Sequence, residues 1–200
     1  MKTKQKFSLL LVIVLFMVGC IPSLHPLYHD KDRIEVPEII GKWVDKDSED
    51  LWEFRKVEGE PSYILSFFEQ EKADGNYLAK DSANILVNIV ELGGSYFMDL
   101  YPGENENLDN LSDFLTIHIL GVHTFAKLEI VDGKPQIHHM DPKWLEDLFD
   151  ENKIRIKHER VDDDNIVLTA STDDLQKFIT KYADDENAFL EPEILSPYEK

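Results

Sequence analysis

Apolar and polar residues alternate over short runs through the middle of the chain. In the run LWEFRKV at positions 51–57, Trp52 and Phe54 fall on one face, and Glu53 and Arg55 fall on the other. This alternation is typical of a strand with one buried face. Similar runs, rich in β-branched and aromatic residues, recur between positions 39 and 171, with glycine-containing turn pairs between several of them. The pattern predicts a mainly β fold with minor α content, an antiparallel meander that forms a barrel, a half-barrel or a sandwich.

Two segments have a helical period instead. Asp141 and Pro142 are typical of a helix start, and the residues after them predict one helix near 142–152. A second helix is predicted near 172–184, where Ser171 or Thr172 serves as the cap. Its apolar positions follow the i, i+3, i+4, i+7 stripe: Leu175, Phe178, Ile179 and Tyr182. We expect this stripe to pack against the sheet rather than to bind a partner.

The start of the chain has the pattern of an export signal. Three lysines within the first six residues precede a run from position 7 to 18 that is apolar except for one serine. Such a run is too short to cross a hydrocarbon core, which needs about 20 residues. The run and the small Gly19 after it are typical of a secretory signal peptide. We therefore expect residues 1–19 to be a signal peptide, cleaved between Gly19 and Cys20.

Cys20 is the only cysteine of the chain, so it has no partner for an intramolecular disulfide. Positions 17–20 read Met-Val-Gly-Cys, which resembles the lipobox of bacterial lipoprotein precursors, with Met17 in place of the usual Leu. The resemblance implies that Cys20 carries diacylglycerol, and that fatty acids such as palmitate hold the protein to a membrane of the cell envelope. Ile21 is not the Asp that commonly retains such proteins at the inner membrane. In a host with two membranes, the resemblance implies the periplasmic side of the outer membrane.

The stretch PSLHPLY directly after Ile21 resembles a group of uncharacterised bacterial lipoproteins. Four later stretches resemble the same group: GKWV, FMDLYP, HTFAKLEI and LTASTDDLQKFI. The resemblance carries no assigned activity and implies no catalytic residue. Residues 20–38 contain three prolines and show no period, so we expect a lipid-anchored extended tether. A single domain with a C-terminal helix is expected at 39–200.

Gly41-Lys42-Trp43 resembles the Gly-x-Trp signature on the first strand of lipocalin-like barrels. The resemblance implies that the Trp43 ring closes one end of a barrel and that Gly41 permits close packing there. The alternative is an ordinary core tryptophan on a strand. Both interpretations give Trp43 a structural role.

Composition narrows the range of partners. Hydrophobic residues make up 42% of the chain, enough for one folded domain with a sizeable core. The net charge of −19 argues against nucleic acid, which is bound by a basic stripe, and against electrostatic attachment to anionic headgroups. We expect contact with the membrane through the lipid anchor, and either a small apolar ligand or an envelope protein as a further partner.

Histidines are the main candidates for chemistry. His118, His123 and His138 are candidate ligands for a metal or a small molecule if neighbouring strands bring them together. Because side chains alternate along a strand, His138 and its neighbour His139 are expected on opposite faces. The chain has no short zinc-ligand spacing, no nucleophile elbow and no glycine-rich phosphate loop, so we expect neither a metal nor a cofactor.

Three functions remain open from the sequence. The first is a lipid-anchored module that binds a ligand or an envelope partner without chemistry. The second is an envelope hydrolase with an unrecognised histidine and carboxylate site. The third is a structural lipoprotein whose barrel interior is filled by side chains. The barrel interior, open or filled, distinguishes the first of these from the third.

Overall fold

Eight antiparallel strands close into a barrel in a computed structural model that describes residues 20–73, 76–103, 112–161 and 166–199. The predicted signal peptide lies outside the described residues. The barrel strands are β1 Gly41–Asp45, β2 Leu51–Lys56, β3 Ser62–Ala73, β4 Asn76–Leu92, β5 Ser95–Pro102, β6 Thr124–Val131, β7 Lys134–His139 and β10 Glu193–Pro197. Around the barrel they follow the order β1-β10-β7-β6-β5-β4-β3-β2.

The remaining elements are not part of the barrel wall. Strands β8 (His158–Arg160) and β9 (Ile166–Leu168) form a separate two-stranded sheet. The helices are α1 (Asp113–Thr116), α2 (Pro142–Asp150) and α3 (Thr172–Tyr182), with short 3-10 turns at Asp30–Asp32, Pro37–Ile39 and Glu186–Ala188. None of the helices in the described ranges is long and apolar enough to cross a membrane. The predicted mainly β fold with a lipocalin-like barrel is confirmed, and so are the two predicted helices, α2 and α3.

The barrel interior is filled by side chains. Alternation in β2 behaves as predicted, because Trp52 and Phe54 are buried while Glu53 and Arg55 are not. The interior cluster takes side chains from every barrel strand: Trp43, Trp52, Phe54, Tyr63, Leu65, Val87, Ile89, Met98, Ala126, Leu128, Ile137 and Leu195. Aromatic rings occupy much of it, since Trp52 packs edge-on against Phe67 with ring centroids 5.2 Å apart. A barrel of eight strands is just wide enough for such a filling.

The barrel has two different ends. We define the lower end of the barrel as the end at which β1 begins. The β2–β3, β4–β5 and β6–β7 turns lie at this end. The upper end, at which β1 stops, holds the β1–β2, β3–β4 and β5–β6 connections. The antiparallel register fixes this division, because each strand runs opposite to both of its neighbours.

The lower end is closed by the chain that leads into β1. Val36 and Ile39 are buried in the interior cluster, and the Trp43 indole Nε1 donates to the Ile39 carbonyl oxygen at 2.7 Å. The Tyr63 hydroxyl accepts from the Val36 N–H, also at 2.7 Å. Gly41 has a φ of +138°, a backbone conformation that favours glycine. The Gly-x-Trp stretch thus lies where this chain turns into the barrel.

A second apolar cluster covers the outer face of β4, β5 and β6. Helices α2 and α3, strand β9 and the residues after Cys20 all contribute to it. Its buried members include Ile21, Leu27, Val90, Phe97, Phe125, Leu145, Leu168, Leu175, Phe178 and Ile179. Three positions of the predicted helical stripe, Leu175, Phe178 and Ile179, are therefore buried.

Residues 20–38 differ from the prediction. They do not form an extended tether, because Ile21, Leu27 and Val36 are buried against the barrel. The three prolines keep long helices and strands out of the segment, but its other residues can still bury side chains and use their backbone groups. The segment therefore packs as part of the folded body that the described residues form.

The closure of the lower end predicts a structural cost for Trp43→Ala. Trp43 is 7% exposed, and its removal would leave a cavity and free the Ile39 carbonyl. We expect the free energy of unfolding to fall by about 3–5 kcal/mol, measured by urea unfolding. Tyr198→Ala, at an aromatic that is 46% exposed, is the control and should change it little. Equal stability of Trp43→Ala and the parent would contradict this account.

Candidate functional site

The residues after Cys20 are fixed to the body by backbone hydrogen bonds on both sides. Ser23 pairs with His123, with N–O distances of 2.8 and 2.9 Å. On the other side, the Leu24 N–H donates to the Leu168 carbonyl oxygen, and the Leu168 N–H donates to that of Pro22. Ser23 is completely buried. The segment therefore fills the gap between the N-terminal end of β6 and strand β9.

A buried carboxylate holds the same segment further along. Asp99, on β5, has no exposed surface, and its two oxygens have different donors. Oδ1 lies 2.7 Å from His123 Nδ1, and Oδ2 accepts from the Leu27 N–H at 2.6 Å. For His123 to donate, its Nδ1 must carry the proton. We call Asp99, His123 and the Leu27 amide the docking triad.

The surroundings of the docking triad are aromatic. The Tyr101 ring lies over His123, with ring centroids 4.5 Å apart, and Tyr101 also contacts Gly121 so closely that a side chain there would collide with its hydroxyl. Burial raises the pKa of Tyr28, and the negative charge of Asp99 raises it further. These contacts exclude water from the carboxylate, which strengthens its hydrogen bonds and makes the loss of either donor costly.

Helix α3 holds the segment from the other side. The Thr172 hydroxyl donates to the Pro26 carbonyl oxygen at 2.8 Å. The Gln176 side-chain amide donates to the Leu27 carbonyl oxygen and to Asp32, both at 2.9 Å. The hydrogen bond from Gln176 lowers the pKa of Asp32. Four of the five stretches with lipoprotein resemblance, PSLHPLY, FMDLYP, HTFAKLEI and LTASTDDLQKFI, therefore meet at one place.

Cys20 is exposed and lies beside a histidine and a glutamate at the upper end of the barrel. Its Sγ is 3.7 Å from Nδ1 of His139, the last residue of β7. Nε2 of His139 is 3.6 Å from Oε2 of Glu193, the first residue of β10. Burial alone lowers the pKa of His139, but the hydrogen bond with Cys20 and the nearby charge of Glu193 outweigh it and raise the pKa to about 10. We call these three residues the Cys20 cluster.

The three candidate histidines are not brought together. His118 follows α1 on the surface, where its Nδ1 contacts the Phe114 carbonyl oxygen at 2.7 Å. His123 belongs to the docking triad. His138 lies on the outer face of β7, with Nε2 at 3.5 Å from Glu129. In the described ranges, no group of three or more His, Cys, Asp and Glu side chains could hold a metal ion.

His138 does line a cleft of about 490 Å³ on the outside of the barrel. On β6, Lys127 Nζ lies 3.0 Å from Glu129, and hydrogen bonding from Lys127 lowers the pKa of this glutamate. The rest of the cleft comes from residues 183–186 and 189–192, which include four acids. Its charge suits a polar partner better than a small apolar ligand.

Comparison with known proteins adds no relative. No family model matches the chain, and neither the curated proteins nor the solved structures contain a significant match.

The docking triad predicts that Asp99→Asn loosens the segment after Cys20. The amide cannot accept from both donors as the carboxylate does, so one buried N–H group loses its partner. We expect a loss of about 1–3 kcal/mol in the free energy of unfolding, and faster hydrogen exchange at the Leu27 amide. Asp132→Asn, in the exposed β6–β7 turn, is the control. Unchanged exchange at Leu27 would show that Asp99 does not hold the segment.

The Cys20 cluster predicts a pH dependence for a chain whose Cys20 thiol is free. The fold favours protonated His139, so this contribution to stability is complete below pH 6.5 and is lost as the pH rises toward about 10. Thermal unfolding between pH 6.5 and 10 should show this loss. Cys20→Ser and Glu193→Gln should each make it smaller, because each removes a group that favours the protonated ring. The same pH profile in all three proteins would exclude the coupling.

Proposed function

We propose that this protein is a bacterial cell-envelope lipoprotein, held to the membrane by lipid on Cys20, with a non-enzymatic barrel body. The observation that carries the proposal is the position of Cys20. Its side chain is exposed at the surface, while the residue after it, Ile21, is already buried. Because the thiol is exposed, a diacylglycerol on Sγ would reach the surroundings of the body, and it would alter only the contact with His139. The order of charged start, short apolar run and single cysteine supports the same assignment.

The filled interior supports a structural or partner-binding body over a carrier of apolar ligands. Lipocalin-like barrels that carry a ligand need interior space for it. Here Trp52, Phe54, Tyr63 and their neighbours occupy that space. The two described clefts lie outside the barrel, one beside His138 and one along α3. An envelope protein is therefore the partner that the body fits better, and in a host with two membranes we place it on the periplasmic side of the outer membrane.

One observation favours an alternative, an envelope hydrolase. The Cys20 cluster has the order thiol, imidazole, carboxylate that activates a cysteine nucleophile. The 3.7 Å between Sγ and His139 Nδ1 is a long hydrogen bond to sulfur. The 3.6 Å between His139 Nε2 and Glu193 exceeds the hydrogen-bond reach of a working triad, about 2.6–3.2 Å, although such contacts are often looser before substrate binds. The two functions exclude each other at one atom, because a sulfur alkylated by diacylglycerol cannot act as a thiolate nucleophile.

The test is metabolic labelling of the full chain with a radioactive fatty acid in a bacterial host. We expect label on the parent, none on Cys20→Ser, and retention of residues 1–19 in that variant. His139→Gln is the matched control, because attachment of lipid to the precursor does not need the folded Cys20 cluster. Label on Cys20→Ser would exclude this anchor. Loss of label in His139→Gln would favour an acylated thiol enzyme instead.

A further inference from the structure

The β5–β6 connection carries a group of exposed apolar side chains. Of the eleven exposed large apolar residues in the described chain, five lie between positions 114 and 120: Phe114, Leu115, Ile117, Ile119 and Leu120. Phe114 is 77% exposed, Ile117 is 76% and Leu120 is 71%. The stretch 114–121 contains no Asp, Glu, Lys or Arg, in a chain in which those residues make up 30%. We call residues 114–120 the apolar segment.

The described part of the chain leaves the apolar segment largely uncovered. Its helix α1 has only four residues, too few to present one face to the barrel and another to water. It is nevertheless anchored at its end, because the next residues lead into the docking triad through Gly121 and His123. Exposed apolar groups of this kind mark contact with a membrane or a protein, since leaving them in water is unfavourable.

The position of the apolar segment in the barrel favours contact with a membrane over contact with a protein. The apolar segment joins the end of β5 to the start of β6, and so lies at the upper end. Cys20 lies at the same end, beside His139 and Glu193. Nineteen residues precede Cys20, and most of them form the apolar run at 7–18. Whether that run is replaced by diacylglycerol or is kept, an element with affinity for lipid leaves the body at this end.

We infer that the apolar segment inserts into the lipid surface to which Cys20 is attached, as a second and non-covalent membrane contact. The inference rests on the proposed lipid anchor. The surface that the apolar segment enters is a bilayer of zwitterionic lipid, because the net charge of −19 gives no attraction to anionic headgroups. Apolar side chains held beside an anchor insert at low entropic cost, since the anchor already keeps them near the surface. The upper end of the barrel then faces the membrane and the lower end faces away.

The experiment measures the depth of single added tryptophans. The full chain is purified from bacterial membranes in detergent and reconstituted into phosphatidylcholine vesicles with brominated acyl chains, which quench tryptophan only on contact. Phe114→Trp and Ile117→Trp place the probe in the apolar segment. Tyr96→Trp, at an exposed aromatic near the lower end, is the matched control. The emission of the parent, from Trp43, Trp52 and Trp144, is subtracted.

We expect the added emission at positions 114 and 117 to shift to the blue and to be largely lost in brominated vesicles, while that at position 96 is unchanged. Blue-shifted but unquenched emission at both positions would mean that a second copy, another protein or the chain's own N-terminal run covers the segment, and would overturn the inference. Unshifted and unquenched emission would overturn it as well.

Vesicle flotation of each variant combined with Cys20→Ser separates this inference from the proposed anchor. If the parent floats and probes at 114 and 117 are unquenched, the anchor stands and the inference fails. Residues 1–19 are removed from the Cys20→Ser proteins, because the uncleaved apolar run at 7–18 would itself hold them to vesicles. If these proteins still float and their probes are still quenched, the apolar segment holds the membrane without lipid on Cys20, and the contact stands. If the parent does not float, both fail.

Discussion

The carboxylate of Asp99 joins the two halves of this structure. It lies on the outer face of β5 without exposed surface, and its two oxygens take the Leu27 N–H and the His123 ring. An isolated buried carboxylate is very unfavourable, so a buried one occurs where donors satisfy it. Here the donors belong to the segment after Cys20 and to the entry into β6. Burial of the carboxylate in the folded protein would therefore be costly without either of these donors.

Two apolar clusters stabilise different parts of the fold. The interior cluster fixes the barrel and its lower end, with Trp43 hydrogen-bonded to the chain that closes it. The outer cluster fixes α2, α3 and residues 21–28 on β4, β5 and β6. The segment after Cys20 links the two clusters, because Leu27 belongs to the outer cluster and Val36 to the interior cluster.

Much of the fold followed from local pattern, and the candidate sites did not. Burial could be read from two local patterns: Trp52 and Phe54 alternate with polar residues, and Leu175 and Phe178 lie on one helical stripe. In both cases the period of the strand or helix decides which side chains share a face. Asp99 gave no such signal, since an acid on an alternating strand is normally solvated. His139 and Cys20 are 119 positions apart, and only the closure of β7 onto β10 brings Glu193 to them. Residues 20–38 were predicted as a tether because their prolines disfavour long helices and strands. The prediction was wrong because prolines do not prevent the other residues from packing against the body.

The docked segment after Cys20 also sets how far the body can move from its attachment point. A flexible chain of 18 residues would let the barrel wander over about 20–25 Å. Because Ile21 is buried and Ser23 is paired to His123, the chain has no such flexible length. The barrel therefore has one orientation relative to the attachment point at Cys20. In the proposed lipid-anchored state, the body would therefore not search the space around its anchor. It would present the same face at the same height, and a partner would have to come within the barrel's own length of the membrane.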